Sequence, residues 1–280
     1  MAVYVVGTVN ALCKWRTHKT WQIIMKTKKY YQPFCGAILL ALGGVASATP
    51  ITTIINDAYW GSNDHGYGDV ISSASSKEFF NIDHLKVVFN SDHKVSVTVY
   101  TGFNQNDARA LGTKYGDLFI STTGWHPYVG SDPLHFKQDS YATTGTQWNY
   151  VIDTSEGGAL YGGAFSVYQS QDLIPANYIF RNGQVVQRKA GGTFLDETGV
   201  QFGSASHAGK TYNTLTYTFD GDLLGIQAGD ELAFKWGMTC ANDTIEGSAI
   251  VPVPTPATLP LLAAGIGAGW WARRRAKRQS

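Results

Sequence analysis

Lys94-Val95-Ser96-Val97-Thr98-Val99-Tyr100 alternates polar and apolar side chains without a break. In an extended chain successive side chains point to opposite faces. Val95, Val97 and Val99 therefore form one face and Ser96, Thr98 and Tyr100 the other, the pattern of a strand with one side in a core. Leu215-Thr216-Tyr217-Thr218-Phe219 repeats this alternation, and Trp148-Asn149-Tyr150-Val151-Ile152 and Phe165-Ser166-Val167-Tyr168 repeat it less cleanly. Leu85 to Phe89 and Leu118 to Ser121 add two strands, and Ser91-Asp92-His93-Lys94 reads as the turn joining the first of these to the Val-rich strand. Tyr178-Ile179-Phe180 and Gln184-Val185-Val186 flank Arg181-Asn182-Gly183, where Asn-Gly is a strong signal for a two-residue hairpin turn.

About eight such strands separated by turns, with no sustained helical periodicity between residues 49 and 250, predict an all-β fold. The expected architecture is an antiparallel β-sandwich, jelly-roll-like, with an open barrel as the alternative. Helix is expected only at the ends, as an N-terminal signal helix and a short C-terminal transmembrane helix.

Both ends read as targeting segments. From Thr258 to Ala272 there is no charge, and Arg273, Arg274, Arg275, Lys277 and Arg278 follow. Moving such charges through hydrocarbon costs about 2.5 to 3.5 kcal/mol each, so the basic end is expected in the cytoplasm and everything upstream outside. At the other end Lys26, Lys28 and Lys29 precede the apolar run Ala37 to Val45, which closes in Ala46-Ser47-Ala48. This is the pattern of a secretory signal peptide cleaved between Ala48 and Thr49. Met25 reads as the true start and residues 1–24 as an extension, with one long leader as the alternative.

The C-terminal order of parts closely resembles the PEP-CTERM sorting signal of Gram-negative bacteria: a Pro-x-Pro motif, a short hydrophobic segment and an Arg-rich end. Val253-Pro254-Thr255-Pro256-Ala257-Thr258-Leu259 carries the resemblance, with Thr255 where the family usually has Glu. It implies an exported surface or exopolysaccharide-associated protein, processed by an exosortase-type enzyme. An ordinary tail anchor is the alternative, but the 15 residues of Thr258 to Ala272 fall short of the roughly 20 that a spanning helix needs. The stretch Trp236-Gly237-Met238-Thr239-Cys240-Ala241-Asn242-Asp243-Thr244-Ile245-Glu246-Gly247 is similar to a core-ending motif of exported PEP-CTERM proteins with no assigned activity. Thr244 to Thr255 reads as a linker. The organisation expected is then a signal peptide at 25–48, an ectodomain at 49–247, a Pro-rich linker with the sorting motif at 248–256, a hydrophobic transmembrane segment at 257–272 and a basic cytoplasmic tail at 273–280.

Without its ends the chain is acidic: residues 49–250 keep 11 of the 22 Lys and Arg and all 21 Asp and Glu, a net charge of −10. That balance argues against nucleic acid, which needs cationic side chains against phosphate, and it suits divalent cations. Of Cys13, Cys35 and Cys240, only the last lies in the mature domain, so no internal disulfide is expected there. A buried thiol and an interchain disulfide are the two readings of Cys240.

The densest polar cluster is Asn63-Asp64-His65-Gly66-Tyr67-Gly68-Asp69, and Asn242-Asp243-Thr244-Ile245-Glu246 resembles it in composition at the far end of the domain. Asp64, Asp69, Asp243 and Glu246 are candidate Ca2+ ligands, since hard cations take closely spaced oxygen donors. Two Asx-type turns are the competing reading. Trp60, Trp125 and Tyr128, with Tyr67 and Trp148, are candidates for stacking on sugar rings from exposed loops, against core packing. Catalytic signals are weak: no G-x-S-x-G, H-E-x-x-H, P-loop or Cys-x-x-Cys occurs, and His65, His84, His93, His126, His135 and His207 are scattered. His84 and His93 flank one hairpin, where solvated side chains are expected. The reading is a non-catalytic, exported binding or matrix module for polysaccharide. A polysaccharide hydrolase, which needs only two carboxylates at a set separation, and a purely structural matrix protein are the alternatives.

Overall fold

The computed structural model describes residues 50–57, 70, 77–126, 145–163, 173–175, 185–253 and 258–278. They belong to the second of two compact units, 1–44 and 45–280. The expected signal peptide, the sorting prolines Pro254, Thr255 and Pro256, and the strands at 165–168 and 178–180 lie outside the described residues, as does the Asn182-Gly183 turn.

The described strands are β1 (Ile51–Asn56), β2 (Ile82–Phe89), β3 (Lys94–Thr101), β4 (Leu118–Ser121), β5 (Tyr150–Asp153), β6 (Ala159–Gly162), β7 (Leu173–Pro175), β8 (Val185–Arg188), β9 (Thr193–Glu197), β10 (Val200–His207), β11 (Lys210–Asp220), β12 (Glu231–Gly237) and β13 (Thr244–Ile250). One sheet has the order β1-β2-β3-β11-β10 and the other β13-β12-β4-β5-β6-β9, with β7 and β8 forming a separate pair. Every pairing is antiparallel. Among the described residues helix is limited to the four-residue α1 (Lys77–Phe80) and to α2 (Thr258–Lys277), besides short 3-10 turns.

The Val-rich stretch is β3, second neighbour of β1 and flanked by β2 and β11. Val95, Val97 and Val99 are buried, and they join Leu215, Tyr217 and Phe219 of β11 in one apolar cluster. The same cluster takes Leu118, Ile120, Leu232, Phe234 and Trp236 from the other sheet, so the inward faces of both sheets share a single core. On the outward face Ser96 and Thr98 meet Thr218 and Thr216 hydroxyl to hydroxyl, each pair at 3.0 Å. The Tyr217 hydroxyl, drawn from one sheet, receives the Trp236 indole N–H of the other at 2.9 Å. Burial pushes the Tyr217 phenol above its usual range.

The six-stranded sheet is also covered on its far side, where Phe119, Val151 and Ala233 pack with Trp148 and Val185. Its alternation is therefore weak in sequence: a strand buried on both faces has no polar side to reveal its period. Thr244–Ile250, expected as linker, is such a strand, and Val251 adds backbone hydrogen bonds in both directions, to Gly229 and Asp230. Residues 244–251 thus belong to the β-fold and not to a linker. Gly247 is required by the contact of β13 with β1, because a β-carbon there would sit 2.4 Å from Ile55 Cγ2.

At the C-terminus α2 contains the whole uncharged stretch and continues through Arg273, Arg274 and Arg275. No helix among the described residues is long and apolar enough to cross a membrane. The 15 uncharged residues span about 22 Å at 1.5 Å per residue, against a hydrocarbon core of about 30 Å.

Candidate functional site

Two of the four candidate Ca2+ ligands are described, and each has partners of its own. Asp64 and Asp69 lie outside the described residues, and the other two face different parts of the molecule. Asp243 is fully buried at the end of the core, where its Oδ2 accepts the Ile82 N–H at 2.6 Å and its Oδ1 accepts the Thr244 N–H at 2.9 Å. Glu246 points from β13 toward the far side of the six-stranded sheet, where Oε1 pairs with Lys235 Nζ at 2.8 Å. Its Oε2 receives the Trp125 indole N–H at 3.4 Å. In the described structure Asp243 ties the start of β2 to the other sheet, and Glu246 pairs with a buried lysine.

The aromatic candidates are also altered. Trp148 is 4% exposed and belongs to the far-side cluster, and Trp125 is half-buried against it, so neither is a free ring in a loop. Trp60, Tyr67 and Tyr128 lie outside the described residues. The large exposed rings that are described are Phe194, Phe202, Trp270 and Trp271. The two tryptophans stand on α2 one turn before arginines, with the Arg274 guanidinium 3.6 Å from the Trp270 ring centre and that of Arg275 4.6 Å from the Trp271 centre. Aromatic rings beside cationic side chains are what the membrane–water boundary favours. Cys240 is half-buried and packs against the main core, less enclosed than expected.

The hydrolase alternative needs an accessible pair of carboxylates. Asp117 and Asp153 are close neighbours, and burial and then the Asp153 charge push the Asp117 carboxyl up to about 8, against the backbone N–H groups of Arg188 and Thr154 that it accepts. Yet Asp117 is 1% and Asp153 3% exposed, and Asp153 Oδ1 accepts from Ser155 and Glu156. The pair is a buried bracket holding the β5–β6 turn and β8 against β4, closed to a polymer chain.

A different cluster stands on the outward face of the five-stranded sheet, and it was not anticipated. The β2–β3 register shifts between Ile82 and His84, which makes Asp83 an extra residue, a bulge. Because of it Ile82 and Leu85 both enter the core, and Asp83 and His84 are presented together on the outer side. The β10–β11 hairpin then reaches past β3, whose last partner on β11 is Asn213 for Thr101. Its tip reaches α1 and β2: Lys210 Nζ lies 3.0 Å from both carboxylate oxygens of Glu78 on α1, and His207 Nδ1 lies 3.0 Å from Asp83 Oδ2 on β2. His84 Nδ1 is 2.6 Å from the same oxygen, and the Tyr212 hydroxyl donates to Asp83 Oδ1 at 2.8 Å. The His84 ring stacks on Tyr100 at 4.1 Å and meets the His207 ring edgewise at 4.5 Å.

The electrostatics follow from this packing. Burial alone would raise the Asp83 carboxyl, but bonds from His84, Tyr212 and His207 outweigh it and hold the group below its usual value. Burial lowers His84 more than the Asp83 carboxylate raises it. Burial and the Asp83 bond raise the Tyr212 phenol to about 12. His84, expected to be solvated beside His93, is thus 2% exposed and meets His207 instead, while His93 is exposed and pairs with Asp222 at 2.9 Å. The sequence carries one trace of the bulge: Ile82 and Leu85 are apolar at a spacing of three, a break in the two-residue phase that resumes at Val87 and Phe89. No protein-family model, no curated protein and no solved structure matches this chain.

Proposed function

We propose that this chain is an exported protein sorted by its C-terminal segment, and that its β-domain, a two-sheet sandwich, is a non-catalytic binding or matrix module of the extracellular polysaccharide. The observation that carries the proposal is α2. One helix joins the uncharged stretch to the arginines, and its Ile266, Trp270 and Trp271 are more than half exposed, apolar side chains without a place in the β-core. A helix of this kind finds its partner in lipid, with the tryptophans at the boundary and the arginines on the cytoplasmic side. Its shortness favours transient retention over permanent anchoring, in keeping with cleavage near Pro254 to Pro256 by an exosortase-type enzyme. The net charge of −10 over residues 49–250 makes neutral polysaccharide the better partner than an acidic one.

The test is expression of the full chain in a Gram-negative host that carries an exosortase, beside the triple variant Arg273→Gln, Arg274→Gln, Arg275→Gln. The wild-type chain is expected outside the cell without its tail, and the variant is expected to keep its tail. Identical processing of both chains would overturn the role given to the arginines.

A further inference from the structure

We propose that Asp83, His84 and His207 form a binding site for one divalent ion of the zinc type. A ring nitrogen from each histidine and a carboxylate oxygen of Asp83 lie within 4.8 Å of one another. Two imidazoles and one carboxylate are the donor set of borderline ions such as Zn2+, Ni2+ and Cu2+, and they suit the hard, all-oxygen preferences of Ca2+ poorly.

The geometry is that of a site held closed by hydrogen bonds. Asp83 Oδ2 sits between the two Nδ1 atoms at 2.6 and 3.0 Å. A carboxylate only accepts, so each Nδ1 carries the proton of its bond. An ion bound through these atoms takes the places of those protons, and each ring carries its proton on Nε2 instead. With metal–ligand bonds of about 2.0 to 2.1 Å at a tetrahedral angle, the donors stand about 3.3 Å apart, so the two short edges open by about 0.7 and about 0.3 Å while the two imidazole donors draw together from a separation of at most 4.8 Å.

The parts around the donors fit that demand. Tyr212 holds Asp83 Oδ1, and Tyr100 backs the His84 ring, so two of the three donors are oriented from behind. His207 stands beside the hairpin turn of Ala208 and Gly209 with its side chain about half exposed, so the third donor has room to adjust. Three protein donors leave a fourth position on the solvent side for water or an oxygen donor of a partner. The bound ion joins β2 to the tip of the β10–β11 hairpin and secures the end of the five-stranded sheet.

The experiment is calorimetric titration of the full chain with ZnCl2 after chelator treatment, with melting curves recorded alongside. One equivalent is expected to bind, and Zn2+ at a hundredfold excess over Kd is expected to raise the midpoint by about 5 to 10 °C, with no rise for Ca2+. His207→Ala lies at an exposed tip and leaves the core intact; it is expected to weaken binding at least about tenfold, as is Asp83→Asn, while His93→Ala is expected to bind as the wild type does. Absence of binding, undiminished binding by His207→Ala, or an equal loss in His93→Ala would overturn the site.

Discussion

Lys235 and Glu246 face each other across β12 and β13, 2.8 Å apart, each side chain 1% exposed. The pair lies on the far side of the six-stranded sheet, with the Lys235 ammonium 6.0 Å from the Trp148 ring centre and the Trp125 indole on the second oxygen of Glu246. Two charges in so dry a place cost much desolvation and are stable only together. Glu246→Gln removes the carboxylate that faces the buried ammonium and is expected to cost about 3 to 5 kcal/mol, whereas Lys235→Met with Glu246→Leu is expected to be near neutral. Urea unfolding of the three chains at pH 7 separates these outcomes.

Asp243 is a strut between the sheets. Asp243→Ala strands the buried N–H groups of Ile82 and Thr244 and is expected to cost about 2 to 4 kcal/mol. The loss should be the same with Ca2+ and with EDTA, as read from chemical unfolding in both buffers. A loss confined to the Ca2+ buffer would return the residue to a cation site.

Asp117 gives the fold a pH dependence of definite sign. Its carboxyl is pushed up to about 8 in the folded chain, above its ordinary 3.8. Between these values the folded state holds a proton that the unfolded state has released. Its contribution to stability is therefore full below about pH 4 and is lost as pH rises through about 8. Asp117→Asn carries no such proton, so its melting midpoint is expected to fall less steeply between pH 5 and pH 8 than that of the wild type, whatever its absolute value.

Gly247 marks where β13 meets β1. Gly247→Ala drives a methyl group against Ile55 and is expected to cost about 1 to 3 kcal/mol. Pairing it with Ile55→Val, which removes the Cδ1 methyl but keeps Cγ2, should recover little; Ile55→Ala should recover more, because it removes the opposing Cγ2. Denaturation midpoints of the two double variants distinguish this contact from a general loss of strand propensity.

The strands that were legible in the sequence are those with one wet face. In β3 and in the Leu215–Phe219 part of β11 the buried valines, leucine and aromatics alternate with Ser and Thr that face water or each other. β13 reads as linker in the sequence because Glu246 stands on a dry face that gives no alternation, and the partner that makes it tolerable, Lys235, is 11 residues away on another strand. β10 carries Gly203, Ser204, Ala205 and Ser206 and is mostly exposed; it is a strand because β11 pairs with it over eight residues, not because its own side chains ask for one. Among candidate sites, residue type alone placed Asp243 and Glu246 together, but their backbone positions send them to different faces. Pattern alone gives His84 and His93 to solvent on one hairpin and leaves His207 scattered, since His84 and His207 are separated by more than a hundred residues and meet only through a bulge and an overhanging hairpin. Such a meeting is a property of the register, which a local pattern does not contain.

The intact mass of the protein recovered from the growth medium or cell surface tests sorting at both ends in one reading. The expected mass is that of a chain beginning at Thr49 and ending between Pro254 and Pro256, allowing for any attached group. A soluble chain isolated from inside the cell, with its mass still including Arg273 to Ser280, would contradict it.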